Sequence, residues 1–483
     1  MAIFSVLLCL ASELLRTKWL GENQDRYAYG GVYDVTENTI DVLVLGSSQV
    51  SLGIDPVEMY NCEGISAYAL GGANTALMAS YYWLVETEKT QDVSVVLLET
   101  SSLLEEIQPN HERKRLDSMK LSLDKLRFIQ DIQAHTDESF LSFLMPIIKY
   151  HTRWSALKEV DFTPDADSGQ CYRGFNIEEE CIKNLDYSTV MIDNDDPTAD
   201  TRGMYEYQLV YFEKIVAYCQ ENDIELILFK TPKQSWTLSD FNQVQTLADS
   251  YGLTYLDFNW EELLDAIGYD VETDMRDKDH LSVSGADKLS SYLAEYLAAN
   301  CDLPDRREDE DYDLQIDQAL YETERTDAYL YTTTDPAEWL TLLKNHSTTC
   351  DIFLSTYGDT AGVVSDEIAA LLADLGLETD LNTLEEGYGF VAWLTSDGTS
   401  VEEKSDYHYI RIKGTLDNGV AYQVVSRNQE DQKQSKQLID GEDQSINTAG
   451  LNITLYDEEQ ELVLETVCID LETGEMTCVT RAG

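Results

Sequence analysis

Five short apolar runs between Ile40 and Asn300, each separated from the next by a stretch of helical period, constrain this chain more than any other feature. They read "DVLVLG", "GISAYAL", "VSVVLLE", "IELILFK" and "LTYLDF". Between them lie segments such as "TALMASYYWLVETEK" and "MYEYQLVYFEKIVAYCQEN", and "GADKLSSYLAEYLAAN" closes the series. Short apolar strands separated by helical stretches suit a parallel sheet covered on both faces, hence a three-layer α/β domain. The spacing breaks after the third run, where residues 103–200 form a long insertion. Inside it "SMKLSLDKLRFIQDI" and "ESFLSFLMPIIKYHTRWSALKEV" read as helices, placed to form a lid or a substrate wall.

A second domain follows. "LPDRREDEDYD" (303–313) is charged and nearly free of apolar residues, so a linker is expected over 303–314. Beyond it "CDIFLSTY", "YGFVAWL", "HYIRIKG", "VAYQVVS", "LNITLYD" and "LVLETVCID" read as strands, with "SDEIAALLADLGLE" as a helix. Residues 315–483 are therefore expected to form a smaller α+β or mainly β domain.

The net charge of −58 is spread along the chain. Such a surface repels phosphate backbones, which excludes nucleic acid as a partner. No D-x-[DN]-x-[DN]-G calcium loop occurs. No histidine falls at zinc-ligand spacing from a cysteine, so neither metal nor cofactor is expected. Nine cysteines are present without a C-x-x-C pair, and Cys171 and Cys181 are close enough in sequence to bridge a loop. Ala2 to Leu15 is largely apolar, shorter than the roughly 20 residues a spanning helix needs. Residues 1–20 are read as part of a membrane anchor or signal segment, which implies an extracellular or cell-surface location. An amphipathic first helix is the alternative.

In an open parallel sheet, ligands sit beyond the carboxyl ends of the strands. Ser47 and Ser48 follow the first run, "ALGGANTA" follows the second, and "DMRDKDHLSVSGADKLS" precedes the last helix. Of the six histidines His280 stands in such a place, three residues after Asp277. That spacing brings a carboxylate beside the imidazole, whose other nitrogen can then face a serine. A serine hydroxyl needs such a base to become a nucleophile. Taken singly, Ser48 reads more readily as a helix N-cap than as a nucleophile. His151 and Arg153 in "KYHTRW" are candidate substrate contacts from the insertion.

With those motifs, residues 38–302 resemble the SGNH (GDSL-type) hydrolase superfamily, in the branch acting in envelope and surface-polysaccharide acylation. "VLGSSQVSLGI" matches its nucleophile block, "ALGGAN" its glycine block and "DKDHLSVSGADKLS" its Asp-x-x-His block. The resemblance implies a flavodoxin-like fold, Ser48 as nucleophile, His280 as base and acid, and Asp277 orienting it. It also implies an oxyanion hole from the amides of Ser48 and Gly72, helped by Asn74. Two departures stand out: Ser47 replaces a frequent Asp, and "LETSSLL" lacks the Asn usual after the third strand. Residues 315–483 resemble the interleukin-like EMT inducer (ILEI, or GG) domain, through "DIFLSTYGDTAGVVSDEIAALLADLGL" and "INTAGLNITLYDEEQELVLETVCID". Together these imply an acyl esterase or acyltransferase, with acetyl the expected group, acting on a cell-surface or secreted glycan. A membrane-bound acyltransferase is an implied partner, and a catalytically silent glycan-binding or assembly protein is the rival reading.

Overall fold

The computed structural model describes residues 2–16, 24–157, 159–162, 172–179, 181, 203–346, 350–395, 398–405, 409–429, 432–458 and 460–479. The chain divides into two compact units. The first comprises residues 1–177, 186–270 and 278–321, and the second comprises 178–185, 271–277 and 322–483.

The first unit is an α/β domain on a five-stranded parallel sheet. Its strands are β1 (Val42–Leu45), β2 (Ala67–Leu70), β3 (Val95–Glu99), β4 (Glu225–Lys230) and β5 (Thr254–Asp257), in the order β2-β1-β3-β4-β5. Every residue of β1, β2 and β3 is buried, which is why these runs are apolar without alternation. Leu43, Leu45, Val96 and Leu98 share a core with the helices Leu77–Thr87 and Glu206–Glu221. Val42, Val44, Val95 and Leu97 take the alternate positions and are equally buried. The helices Ser48–Gly53, Pro56–Glu63 and Val283–Asn300 pack together.

The free edge at β2 is covered by the returning segment around Arg173, whose carbonyl accepts from the Ala69 amide at 2.8 Å. Gly174 sits so close to the Ala69 carbonyl, at a φ of +95°, that no side chain fits.

The insertion departs from two long helices. It is built from Pro109–Ser118, Leu123–Ile132, Phe140–Leu144 and Pro146–Tyr150, with a 3₁₀ turn at His151–Ser155. Pro146 has no amide proton to continue the preceding turn, so the second expected helix breaks there. Phe128 stacks on Tyr82 at 5.0 Å, tying the insertion to the core.

The expected linker is not a free tether. Arg306 pairs with Asp41 at 2.8 Å, its amide bonds Gly64 O at 3.0 Å, and Tyr312 donates to Asn38 O at 3.1 Å. Residues 303–314 thus lie on the first unit, and the division falls between Tyr321 and Glu322. Charges that read as solvated are here paired.

The second unit is mainly antiparallel β. Its strands are β6 (Asp351–Tyr357), β7 (Gly389–Leu394), β8 (Ser400–Ser405), β9 (Tyr409–Thr415), β10 (Ala421–Gln429), β11 (Gln432–Ile439), β12 (Glu442–Asp443), β13 (Gly450–Asp457), β14 (Leu462–Ile469) and β15 (Met476–Val479). They form a six-stranded sheet, β15-β14-β13-β6-β7-β8, and a four-stranded one, β12-β11-β10-β9. On the first sheet Ile352, Leu354, Phe390 and Ala392 meet the helices Pro336–Asn345 and Asp366–Asp374, while Phe353 and Val391 face Ile412 and Val424 of the second. That alternation is the period of two expected of strands with two different coverings.

Among the described residues no helix is long and apolar enough to cross a membrane; the first, Ala2–Leu15, has 14 residues. Cys181 is buried, its Sγ donating to Met275 O at 3.2 Å, and Cys171 lies outside the described residues.

Candidate active site

β1 ends at Leu45, and Gly46 and Ser47 lead into the helix that Ser48 opens. Gly46 is needed because a Cβ there would sit 2.7 Å from that of Glu99 and 2.6 Å from Val50 Cγ2. Gly71 is needed for the same reason: a Cβ would lie 2.5 Å from Ser51 N and 2.7 Å from Ser47 O. The turns after β1 and β2 are therefore in direct backbone contact. Ser47 is the N-cap, accepting from the Gln49 amide, which leaves the Ser48 hydroxyl available for other work.

That hydroxyl lies 2.8 Å from His280 Nε2, and both residues are half-buried. The partners are 232 residues apart in sequence. This is the separation at which an imidazole can take a serine proton. Asp277 stands three residues before His280, with its carboxylate 3.4 Å from the Arg276 guanidinium.

Among the described residues neither the Ser48 nor the Gly72 amide donates a hydrogen bond. Asn74 is exposed, in the left-handed region at a φ of +48°, and its side chain makes no hydrogen bond among the described residues. The insertion fixes this loop. Ala76 has no side-chain cap of its own, and Glu112 accepts from its amide at 3.0 Å; Arg115 donates to Ala73 O at 2.7 Å.

His151 is exposed, with Nδ1 3.0 Å from Ile148 O. Arg153 pairs with Asp161 at 2.8 Å and donates to Leu15 O at 2.6 Å, so it braces the end of the first helix.

Beneath Ser48 lies a polar cluster that the sequence did not announce. Glu99 ends β3 and forms a fully buried ion pair with Lys230, which ends β4, at 2.8 Å. Glu99 also accepts from Ser101 Oγ at 2.8 Å and from the Ser101 amide at 3.2 Å. Burial pushes the Lys230 ammonium below its ordinary range, against the pull of Glu99. Lys230 donates further to Gln49 Oε1 at 3.3 Å and Thr231 Oγ1 at 3.1 Å. A charged residue at the carboxyl end of an apolar strand was the available signal, and it reads as a simple exit to solvent. Asp257, at the end of β5, is closed off: Trp236, Tyr255 and Asn259 all donate to it at 2.8 Å, and burial raises its carboxyl above the usual range.

Among the described residues no group of His, Cys, Asp and Glu is arranged to hold a metal ion. No protein-family model matches the chain. No curated protein matches it either.

Proposed function

We propose that the chain is a serine-dependent acyl esterase or acyltransferase of the SGNH type, acting on an O-acylated, most simply O-acetylated, extracellular glycan. The observation that carries this reading is the 2.8 Å contact between Ser48 Oγ and His280 Nε2 at the carboxyl edge of a parallel sheet. The strand order, with β1 between β2 and β3, is that of a flavodoxin-like domain and supports the finer fold assignment.

In the proposed reaction Ser48 Oγ attacks the acyl carbonyl while His280 Nε2 takes its proton, with Asp277 orienting the imidazole. The tetrahedral oxyanion is held by the Ser48 and Gly72 amides and the Asn74 side chain; one such donor is worth about 3 kcal/mol. Collapse returns the proton to the leaving sugar oxygen and leaves an acyl-serine. Water or a second sugar hydroxyl, deprotonated by His280, then takes the acyl group and frees Ser48. The second unit is assigned an ILEI-like role in holding the glycan. The apolar first helix is assigned to anchoring at the cell surface, where a membrane-bound acyltransferase is the natural donor of acyl groups.

A second reading, a silent glycan-binding protein, draws on one observation: the segment after β3, Thr100 to Leu104, holds no asparagine, where the resemblance implies an Asn donor to the oxyanion. Turnover of p-nitrophenyl acetate and of acetylated oligosaccharides by the purified chain separates the two. Acetate release that disappears in Ser48→Ala supports the enzyme; glycan binding by a folded protein without Ser48-dependent release supports the silent reading.

A further inference from the structure

Gln49 links the helix of the nucleophile to the loop of the base. It is buried and follows Ser48 directly. Its Oε1 receives Lys230 Nζ at 3.3 Å and the Thr231 hydroxyl. An ammonium has donors only, so the oxygen of the amide must face Lys230 and the NH₂ must face away. That NH₂ donates to the carbonyl of Asp279, at 2.5 Å, one residue before His280. The donors run in one direction: Lys230 gives to Thr231, Thr231 to Gln49, and Gln49 to Asp279. Ser235 adds a bond to the Asp279 carboxylate at 3.0 Å, and the Gln234 amide one to Lys278 O at 2.9 Å.

We propose that Gln49 is the positioning residue for His280, with the Glu99–Lys230 pair locking its amide in a single orientation. The proposal rests on the Ser48–His280 reading above. A buried ion pair is seldom required for stability, since apolar residues of similar volume do as well. Its use here is directional. Loss of about 1 Å of alignment between reacting groups can cost about a hundredfold in rate.

The test is a double-mutant cycle on the rate of fluorophosphonate labelling at Ser48, in wild type, Gln49→Leu, His280→Ala and the double variant, with thermal unfolding of each. Gln49→Glu is the second variant, since its carboxylate still accepts from Lys230 and Thr231 but cannot donate to Asp279 O. Expected are a ten- to hundredfold slower labelling in both Gln49 variants and a melting temperature near wild type in at least one. The double variant is expected to label no slower than His280→Ala, because Gln49 acts through His280. Labelling by either folded Gln49 variant at the wild-type rate overturns the proposal, as does a double variant that loses both factors independently. If wild type does not label at Ser48 at all, the Ser48–His280 reading falls first and the proposal with it.

Discussion

Both units bury polar side chains between strands, but of different kinds. Beneath Ser48 the buried groups are charged: Glu99 and Lys230, fully enclosed, spend their remaining hydrogen bonds on Ser101, Thr231 and Gln49. In the second unit the seam between the sheets is neutral. Ser355 meets Ser435 at 2.6 Å, Gln437 donates to Ser355 at 3.1 Å and to Asn452 O at 2.6 Å, and Thr454 returns a bond to Gln437. Neutral hydroxyl and amide groups satisfy one another across strands and set the register of the sheets. A buried charge pair costs far more to desolvate, and its partners here run toward the two residues with nucleophile and base geometry. The contrast is in where the buried groups lead: those around Glu99 and Lys230 reach, through Gln49, the backbone beside His280, whereas those of the seam bond only across strands.

The comparison can be broken most sharply at the base. His280→Ala is expected to slow Ser48 labelling by about 10²–10⁴-fold, the usual worth of a positioned acid–base group, with little change in unfolding temperature. At the ion pair, Lys230→Met leaves Glu99 charged, buried and without its cation, and is expected to destabilise the first unit by about 3–5 kcal/mol. The double change Glu99→Gln, Lys230→Met should recover most of that stability while labelling stays slow. In the seam, Gln437→Leu is expected to cost about 1–3 kcal/mol by denaturant unfolding and to leave labelling at the wild-type rate.

A pH-dependent effect is expected at a buried carboxylate that faces another acid. Asp55 is fully enclosed, and burial together with the nearby Asp287 pushes its carboxyl up to about 7. Between pH 4 and its folded value, the folded chain holds a proton that the unfolded chain has released. Stability therefore falls as pH rises through that window. Asp55→Asn keeps acceptors for the Val57 and Glu58 amides and should flatten this dependence in unfolding measured from pH 4 to 8.

Much of the first unit is legible in its sequence because fully buried strands leave uninterrupted apolar runs. All five strands fall within the runs that predict them, and Ser48 and His280 follow from position at strand or helix ends. Gln49, Glu99 and Lys230 do not, because a polar residue after an apolar run looks like a chain leaving the core. The same limit hides β11. Its sequence, "QKQSKQLI", buries Ser435 and Gln437, so the strand faces its core with polar atoms and shows little apolar alternation. The Pro146 break was readable from residue chemistry. The pairing of Arg306 with Asp41 was not, since 265 residues separate them.

The most direct measurement is mass-spectrometric mapping of the fluorophosphonate adduct on the purified chain. The account predicts one adduct, on the peptide carrying Ser48, absent in Ser48→Ala and strongly slowed in His280→Ala. A folded protein that forms no adduct, or forms it at another serine regardless of His280, would contradict it.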